Sequence, residues 1–193
     1  MARTRQFDPS EALDKALALF WRQGYYGTSI EDLVGVTGVS RYGLYSVFGS
    51  KQGLFMAALD RYQKNMIGGL LHKFEQSDAA LDAIHGFFAA LTEAATAPGN
   101  RLGCLICNTA SELAPHDADA AQAVEAFRQR LSGDFRRVLK NARDKGMLAA
   151  GFDIDREADF LTGIVQALSV LSRSGADRKS IEHLLDVALS TLG

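Results

Sequence analysis

Apolar side chains recur at three- and four-residue spacing along most of the chain, and short polar segments with glycine or proline separate the apolar stretches. The first stretch follows Asp8, a suitable N-cap, Pro9, which fits the first helical position, and Glu11, which can complete a capping box. The apolar stripe after them consists of Leu13, Ala16, Leu17, Phe20 and Trp21. The pattern predicts a first helix that ends at about Gly24, a residue typical of helix C-termini.

Two shorter helices follow, joined by a turn that contains glycine. Residues 28–31 (Thr-Ser-Ile-Glu) have the form of a second capping box and predict a helix over about 28–35. Residues 37–40 (Thr-Gly-Val-Ser) predict a tight turn, and Ser40 is a suitable N-cap for a third helix. The side chains predicted to be buried in these two helices are Ile30, Leu33, Val34, Leu44, Val47 and Phe48. Two short helices joined in this way predict a helix-turn-helix.

The rest of the chain also has the helical pattern. Ser50 is the predicted cap of a fourth helix over 51–72, and the further helices are predicted near 78–97, 102–114, 118–145, 155–173 and 178–191. We therefore expect an all-α fold of about nine helices. Its predicted domains are an N-terminal helix-turn-helix module over residues 1–50 and a C-terminal bundle over 51–193, with helix 51–72 as the linker.

Composition and charge narrow the class of protein. With 47% hydrophobic residues, two cysteines and no apolar segment long enough to span a bilayer, the chain is expected to be globular, free of membrane contact and located in a reducing cytoplasm. The net charge of −2 argues against a nucleic-acid partner until it is divided along the chain. Residues 1–65 carry 8 of the 21 basic and 6 of the 23 acidic residues, a net +2, so residues 66–193 carry −4. Arg3 and Arg5 lie on a segment that is either a basic arm or a frayed terminus.

The helix-turn-helix assigns candidate roles in DNA binding, because its second helix enters the major groove with its first turn toward the bases. Arg41 is a candidate for a bidentate contact with guanine, and Gly43 is expected to let the helix approach closely. Hydroxyls and backbone N–H groups at helix starts suit phosphate. The candidates are Thr28, Ser29, Ser40, Arg41, Tyr42, Gly43, Tyr45, Ser50 and Lys51. The alternatives are that Tyr45 only packs on the core and that Arg41 is merely solvated.

Residues 10–60 resemble the N-terminal DNA-binding domain of TetR/AcrR-type regulators. The matching segments are 24–29 (Gly-Tyr-Tyr-Gly-Thr-Ser), 38–40 (Gly-Val-Ser), 44–51 (Leu-Tyr-Ser-Val-Phe-Gly-Ser-Lys) and 54–55 (Leu-Phe). The resemblance implies a nine-helix homodimeric regulator, usually a repressor, whose C-terminal domain binds an inducer and pairs through its last two helices. It places DNA contacts on Thr28, Ser40, Arg41, Tyr45 and Lys51. The departures from the family pattern, at residues 42–43 and 46–47, bear on which operator is read.

The middle of the chain contains candidate ligand-binding residues. Residues 101–116 resemble a subset of the same family, and aromatic and small polar side chains on two neighbouring helices would suit a mostly apolar pocket. The candidates are Phe87, Phe88, Leu91, Cys104, Cys107, Asn108 and Ser111. The alternative is that the aromatic residues are plain core. Cys104 and Cys107 share a helix face, which suits a thiol sensor of oxidants or electrophiles, whereas scattered histidines make zinc a poor fit.

The last two predicted helices carry apolar faces wider than one neighbouring helix would cover. The candidate interface residues are Leu161, Ile164, Val165, Leu168, Leu171, Ile181, Leu184, Leu185 and Ala188. A two-fold, four-helix interface would explain them and would also set two recognition helices about 34 Å apart for a palindromic site. The alternative is that the two helices close the bundle of a single chain.

No motif in the sequence indicates catalysis. Residues 38–42 miss the G-x-S-x-G elbow, and neither a phosphate-binding loop nor a dinucleotide fingerprint is present. We therefore expect a regulator without enzymatic activity or cofactor. Its partners would be double-stranded operator DNA, a second copy of the chain and a small-molecule inducer that releases a repressor from a palindromic operator. The alternatives are a thiol-based sensor that uses Cys104 and Cys107, and a helical adaptor that does not bind DNA.

Overall fold

A computed structural model describes residues 7–97, 99 and 101–193, so Arg3 and Arg5 lie outside the described residues. Every regular element in the described part is helical, which confirms the predicted all-α class. The α-helices are α1 (Pro9–Gln23), α2 (Ile30–Thr37), α3 (Arg41–Phe48), α4 (Lys51–Tyr62), α5 (Gly68–Leu71), α6 (Leu81–Thr96), α7 (Leu105–Glu112), α8 (Ala118–Asp144), α9 (Ile154–Ser174) and α10 (Arg178–Leu189). A π turn (Gln63–Ile67) joins α4 to α5, so the described residues form nine helical rods when α4 and α5 are counted together.

The start of α1 agrees with its predicted N-cap but not with a capping box. The Asp8 carboxylate accepts a hydrogen bond from the backbone N–H of Ser10 at 2.8 Å, and Pro9 occupies the first helical position. The prediction that Glu11 reaches back to the cap is wrong. Its carboxylate pairs with Lys15 at 2.8 Å, four residues along the helix, where an oppositely charged partner is within easy reach.

Helix α2 begins at Ile30, two residues later than predicted. Its N-cap is Ser29, and a reciprocal capping box joins Ser29 and Asp32. Thr28, predicted to be the cap, is fully buried, and its hydroxyl donates to the carbonyl of Gly24 at 2.7 Å. The prediction that this hydroxyl lies at an exposed helix start is therefore wrong, because the loop before α2 turns the Thr28 side chain inward.

The N-terminal module, which consists of α1 to α3 and the start of α4, packs around large apolar side chains. Phe20, Leu33, Leu44 and Phe55 are each at most 1% exposed. The rings of Phe20 and Phe55 meet edge to face, with centroids 5.0 Å apart. Each of these buried side chains contributes about 1.5–3 kcal/mol through the area it removes from water. This core sets the orientation of α3 relative to α1 and α4.

The linker helix is longer and less regular than predicted. After α4 the chain passes through the π turn, α5 and a 3-10 turn (His72–Glu75), so helical structure extends from Lys51 to Glu75. Tyr62 and Ile67, five residues apart, are both less than 10% exposed. Five residues is the hydrogen-bonded spacing of a π turn, so the turn keeps both side chains on the inner face.

The C-terminal bundle consists of α6 to α10 and α5, with an aromatic cluster of Phe74, Phe87, Phe88 and Phe135 at its centre. Most of the residues predicted for the dimer interface lie inside this bundle in a single chain. Leu161, Ile164, Val165, Leu168, Ile181, Leu185 and Ala188 are 0–7% exposed, and Leu171 and Leu184 pack partly buried against the same core. The prediction that they form an outer face is wrong, because α9 and α10 need these wide faces to pack on α6 and α8.

Different apolar residues of α9 and α10 face outward. Phe160, Val170 and Val187 are 41%, 64% and 71% exposed. In the part of the chain that the structure describes, no helix combines the length and the apolar character that crossing a membrane requires.

Candidate DNA-binding face and ligand cavity

Helix α3 presents a polar and aromatic face to solvent. Its N-cap is Ser40, whose hydroxyl oxygen accepts from the N–H of Gly43 at 3.1 Å, while Leu44 anchors the opposite side in the core. Arg41 and Tyr42 are exposed, Tyr42 to 83%. Ser46, one turn beyond Tyr42, shares this face and was not among the predicted site residues, although its spacing from Tyr42 indicates it.

Arg41 and Tyr45 act as a pair. The guanidinium carbon of Arg41 lies 5.3 Å from the centroid of the Tyr45 ring, a cation–π arrangement. Tyr45 is half-buried and packs against the module core, as the packing alternative predicts, and its contact with DNA stays a prediction. Because the guanidinium is attracted to the Tyr45 ring, we expect Arg41 to stay on the outer face of α3 and to move less than a fully solvated side chain.

The absence of a side chain at Gly43 allows close packing within the module and does not widen the space between α3 and DNA. A Cβ at this position would lie 2.8 Å from Cγ1 of Val39 and 3.4 Å from the ring of Phe7. The missing side chain therefore lets the start of α3 sit against the preceding turn and against Phe7, two residues before α1. The expectation that Gly43 opens space toward the bases is wrong, because the glycine faces inward.

The start of α4 brings a cation and a hydroxyl to the same module. The Ser50 hydroxyl accepts from the N–H of Gly53 at 3.0 Å, and the Lys51 ammonium lies 4.3 Å from the centroid of the Tyr25 ring. Partial burial lowers the pKa of Lys51, and the nearby carboxylates of Glu112 and Asp32 oppose that shift. The Lys51 ammonium thus lies over the face of the Tyr25 ring in a cation–π arrangement.

A cavity of about 150 Å³ lies in the bundle, next to the end of α4, and Trp21 of the module forms part of its wall. Three of the predicted ligand-binding residues line it: Phe87, Leu91 and Cys104. The rest of its wall comes from residues not predicted for it, and those include two predicted for the dimer interface. These other lining residues are Trp21, Tyr62, Met66, Ile67, Leu70, Leu71, Ala94, Ala95, Gly103, Phe127, Leu131, Val165, Leu168, Ser169 and Ser172.

The remaining predicted ligand residues lie elsewhere. Phe88 is fully buried in the aromatic cluster, where it stacks on Phe135 with ring centroids 5.9 Å apart, so the plain-core alternative holds for it. Cys107, Asn108 and Ser111 border a separate, more open groove. The candidates at α7 therefore lie on two different sides. Cys104, the N-cap residue, faces the cavity, whereas residues 107, 108 and 111 face the groove.

The two thiols contact each other at the start of α7. Cys104 is the N-cap residue, and hydrogen bonds from the Cys107 thiol, the backbone N–H groups of Ile106 and Cys107 and the Tyr62 hydroxyl lower the pKa of Cys104 to about 7. The same contact raises the pKa of Cys107, because its proton is held between the two sulfurs. Burial raises the pKa of Tyr62, and the neighbouring Cys104 adds to that shift. Cys104 is therefore the more acidic thiol.

Direct hydrogen bonds join the module to the bundle. The Glu112 carboxylate, at the end of α7, accepts from the N–H groups of Tyr25 and Tyr26 at 3.1 and 2.8 Å. A Cβ on Gly24 would lie 2.5 Å from that carboxylate, which explains the glycine there. The Trp21 indole N–H donates to the carbonyl of Gly103 at 2.9 Å. The end of α1 is thus bonded to the segment before α7, and the loop after α1 is bonded to the end of α7.

Family models match both parts of the chain. Residues 12–58 match the model for bacterial regulatory proteins of the tetR family, and residues 80–188 match the model for tetracyclin repressor-like C-terminal domains. The HTH-type transcriptional repressor ComR of Escherichia coli (strain K12) is 33% identical over 193 residues, which cover 98% of this chain and 90% of ComR. The HTH-type transcriptional regulator YezE of Bacillus subtilis (strain 168) is 31% identical over the full length of both chains.

Solved structures give the same result. A cysteine mutant of the TetR family transcriptional regulator CifR, complexed with 26-bp double-strand operator DNA, superimposes with a TM-score of 0.84, 28% identity and coverage of 99% of this chain and 98% of that one. The reduced form of E. coli NemR, at 17% identity and a TM-score of 0.82, shares the fold. The family models and relatives also confirm the expectation of a regulator without enzymatic activity. The chain belongs to the TetR family of transcriptional regulators.

Proposed function

We propose that this chain is a homodimeric repressor that binds a palindromic operator through α3 and is released when a small molecule occupies the cavity beside α4. The observation that carries the proposal is the outer face of α3, where Arg41 is held on Tyr45 next to the exposed Tyr42. The name of ComR as a repressor and the operator DNA in the CifR structure support it. Arg41 is assigned to a base edge, and Ser29, Ser40, Ser50 and Lys51 are assigned to phosphates.

The dimer is proposed to form on the outer faces of α9 and α10. Phe160 and Val170 lie on one side of α9 with Gly163 and Ala167 between them, and Val187 is exposed on α10. Small residues between larger apolar ones allow a second pair of helices to approach closely. A two-fold arrangement of these helices would place the two α3 helices on one face of the DNA, about one helical turn apart.

Release is proposed to act through α4 and the π turn. Tyr62, Met66 and Ile67 line the cavity, while the start of the same helix carries Ser50 and Lys51. An occupant that displaces the π turn would move α4 and change the separation of the two α3 helices. Affinity for the operator would fall because both half-sites could no longer be engaged together.

The test is operator binding by Arg41→Ala, on genomic fragments selected by the wild-type protein. We expect a loss of about 1–3 kcal/mol of discrimination at the base that Arg41 contacts, with the fold unchanged. Arg130→Ala, at an exposed position on α8 away from the proposed dimer faces of α9 and α10, is the matched control and should bind as the wild type does. Unchanged affinity and sequence preference in Arg41→Ala would contradict the proposed role of α3.

A second candidate signal is oxidation of the thiols, which the contact between Cys104 and Cys107 favours. The Cys104 thiolate would attack a peroxide oxygen to give a sulfenic acid and a hydroxide that takes up a proton. The Cys107 thiol would then displace water and form a disulfide. A Cys104→Ser/Cys107→Ser variant should keep its operator when peroxide releases the wild type. Peroxide release of that variant would remove the thiols from the mechanism.

A further inference from the structure

We infer that the cavity beside α4 takes an uncharged, mostly apolar molecule of about the size of one aromatic ring. This inference rests on the proposed function, since it names the class of the effector for the same site. It follows from the volume of the cavity, the chemistry of its wall and the state of the polar groups at its surface.

Volume sets the size of the occupant. The cavity measures about 150 Å³. An apolar protein cavity of that volume stays dry and holds a benzene-sized guest. Met66, which lies in the π turn, is both part of the wall and 46% exposed, so the cavity meets the surface at a flexible side chain.

The wall selects against charge. Of the 18 lining residues that the structure describes, none is Asp, Glu, Lys, Arg or His. Aromatic, aliphatic and sulfur-containing side chains dominate the wall, and hydroxyls occur at Tyr62, Ser169 and Ser172. While the Cys104 thiol in the wall is protonated, an ionised ligand would lose its hydration here without gaining an opposite charge, so it would bind much more weakly than its neutral counterpart.

The polar groups of the wall already have partners within the protein. Ser169 Oγ accepts from the N–H of Cys104 at 2.8 Å, and the Ser172 hydroxyl donates to the carbonyl of Ala95 at 3.4 Å. Tyr62 is hydrogen-bonded to Cys104. Among the described residues no buried side-chain nitrogen or oxygen is left without a partner. The cavity therefore does not require hydrogen bonds from its occupant, which suits a hydrocarbon or a weakly polar aromatic compound.

The position of Trp21 gives the site a direct connection to the DNA-binding module and a built-in reporter. Trp21 belongs to α1, lines the cavity and meets the ring of Tyr62 edge to face with centroids 5.0 Å apart. It is the one tryptophan of the sequence. An occupant would contact its indole, so tryptophan emission reports binding without an added label.

The experiment titrates the full-length protein with toluene, benzoate and benzylamine at pH 6, where the Cys104 thiol is mostly protonated. We expect toluene to change the Trp21 emission saturably and to raise the melting temperature, and both charged ring compounds to bind at least about a hundredfold more weakly. Comparable binding of benzoate or benzylamine would overturn the inference, as would the absence of toluene binding.

A matched pair of variants locates the site. Ala95→Leu places a larger side chain at the cavity wall, whereas Ala89→Leu makes the same change on the exposed side of α6. Toluene binding should fall at least about tenfold in Ala95→Leu and stay unchanged in Ala89→Leu. An unchanged toluene response in folded Ala95→Leu would place the binding elsewhere. If Ala95→Leu does not fold, the comparison of charged and neutral ligands on the wild type still decides.

Operator binding is measured in the same samples to separate the two proposals. Toluene binding without operator release would contradict the proposed route of release and leave the ligand class intact. Operator binding by a protein that takes up no toluene would overturn the ligand class and leave the repressor intact.

Discussion

Large buried side chains make up the interior of the N-terminal module, whereas the interior of the C-terminal bundle contains a cavity. Phe20, Leu33 and Leu44 are fully buried in the module, while Leu91 and Phe87 in the bundle border a cavity of about 150 Å³. A filled core holds one geometry, because close-packed side chains resist displacement. A core that contains a cavity can bind a small molecule without first breaking many contacts between its side chains.

This difference matches the two tasks proposed for the regions. The module must present α3 at a constant angle, so that Arg41 and Tyr42 meet the same groove each time. The bundle must change in response to a small molecule. The π turn after α4 differs from an ordinary α-helix by only one residue in its hydrogen-bond spacing, so this segment has an alternative helical geometry that needs little rearrangement. Hydrogen bonds of Trp21 and Glu112 join the two regions, so we expect a change in one to act on the other.

The largest expected effect compares truncation in the two interiors. Phe20→Ala should lower the free energy of unfolding by about 3–5 kcal/mol, because it leaves a hole in a filled core. Leu91→Ala should cost less than about 2 kcal/mol, because this side chain is half-buried and already faces empty space. Chemical denaturation of both variants measures the difference, and equal losses would contradict the distinction between the two interiors.

Next in size is the connection between the regions at Glu112. Glu112→Ala leaves the N–H groups of Tyr25 and Tyr26 without their acceptor and should cost about 1–2 kcal/mol. Ser111→Ala, at the exposed neighbouring position, should stay within about 0.5 kcal/mol of the wild type. If the Glu112 and Ser111 variants unfold at the same denaturant concentration, this carboxylate does not stabilise the junction.

The two regions also differ in how far the sequence predicts them. Caps at Ser40 and Ser50 and the turn at Gly38 are local signals, and each stands where it was predicted. These signals also predict which face of α3 is exposed. Leu44 is its one buried side chain, so the opposite side of the helix must face solvent. The inward turn of Thr28 depends on a contact with Gly24 that no local pattern indicates.

The cavity was only partly predictable, because its wall is assembled from distant parts of the chain. Trp21, Tyr62, Phe127 and Val165 come from four different helices. Their meeting depends on how the helices pack and on the π turn, which shifts the helical periodicity after Tyr62. The sequence could not separate the inner face of α9 from its outer face either, because apolar residues lie on both faces. Val165, for example, is buried, whereas Val170 is exposed.

A third prediction concerns the thiols, which lie at the boundary between the regions. As pH rises through about 7, the Cys104 thiolate fraction and its alkylation rate by iodoacetamide should increase, because the pKa of Cys104 is lowered to about 7. At pH 7 this rate should exceed that of an ordinary thiol about tenfold. Mass spectrometry of the modified protein resolves the two sites, and Cys107 should react only at higher pH.

Removal of the Cys107 proton donor tests the cause. In Cys107→Ala the midpoint of Cys104 alkylation should move to higher pH, since the largest contribution to the lowered pKa is the hydrogen bond from Cys107. In Ser111→Ala, on the groove side of the same helix, the midpoint should stay where it is. A midpoint that is the same in all three proteins would assign the acidity to the helix start alone.

The smallest expected effect lies at the cap of α3 and separates stability from DNA binding within the module. Ser40→Ala removes the acceptor of the Gly43 N–H and should cost about 1 kcal/mol, whereas Ser40→Gly should cost only a few tenths. Asp8→Ala removes the comparable cap of α1, a residue with no assigned DNA contact, and should cost a similar amount. Because Ser40 precedes Arg41 directly, only its variants fray the turn that carries this side chain. Calorimetry should therefore show similar melting temperatures for Ser40→Ala and Asp8→Ala, and operator titration should show weaker binding for Ser40→Ala. Equal operator affinities would show that the first turn of α3 does not control how Arg41 is presented.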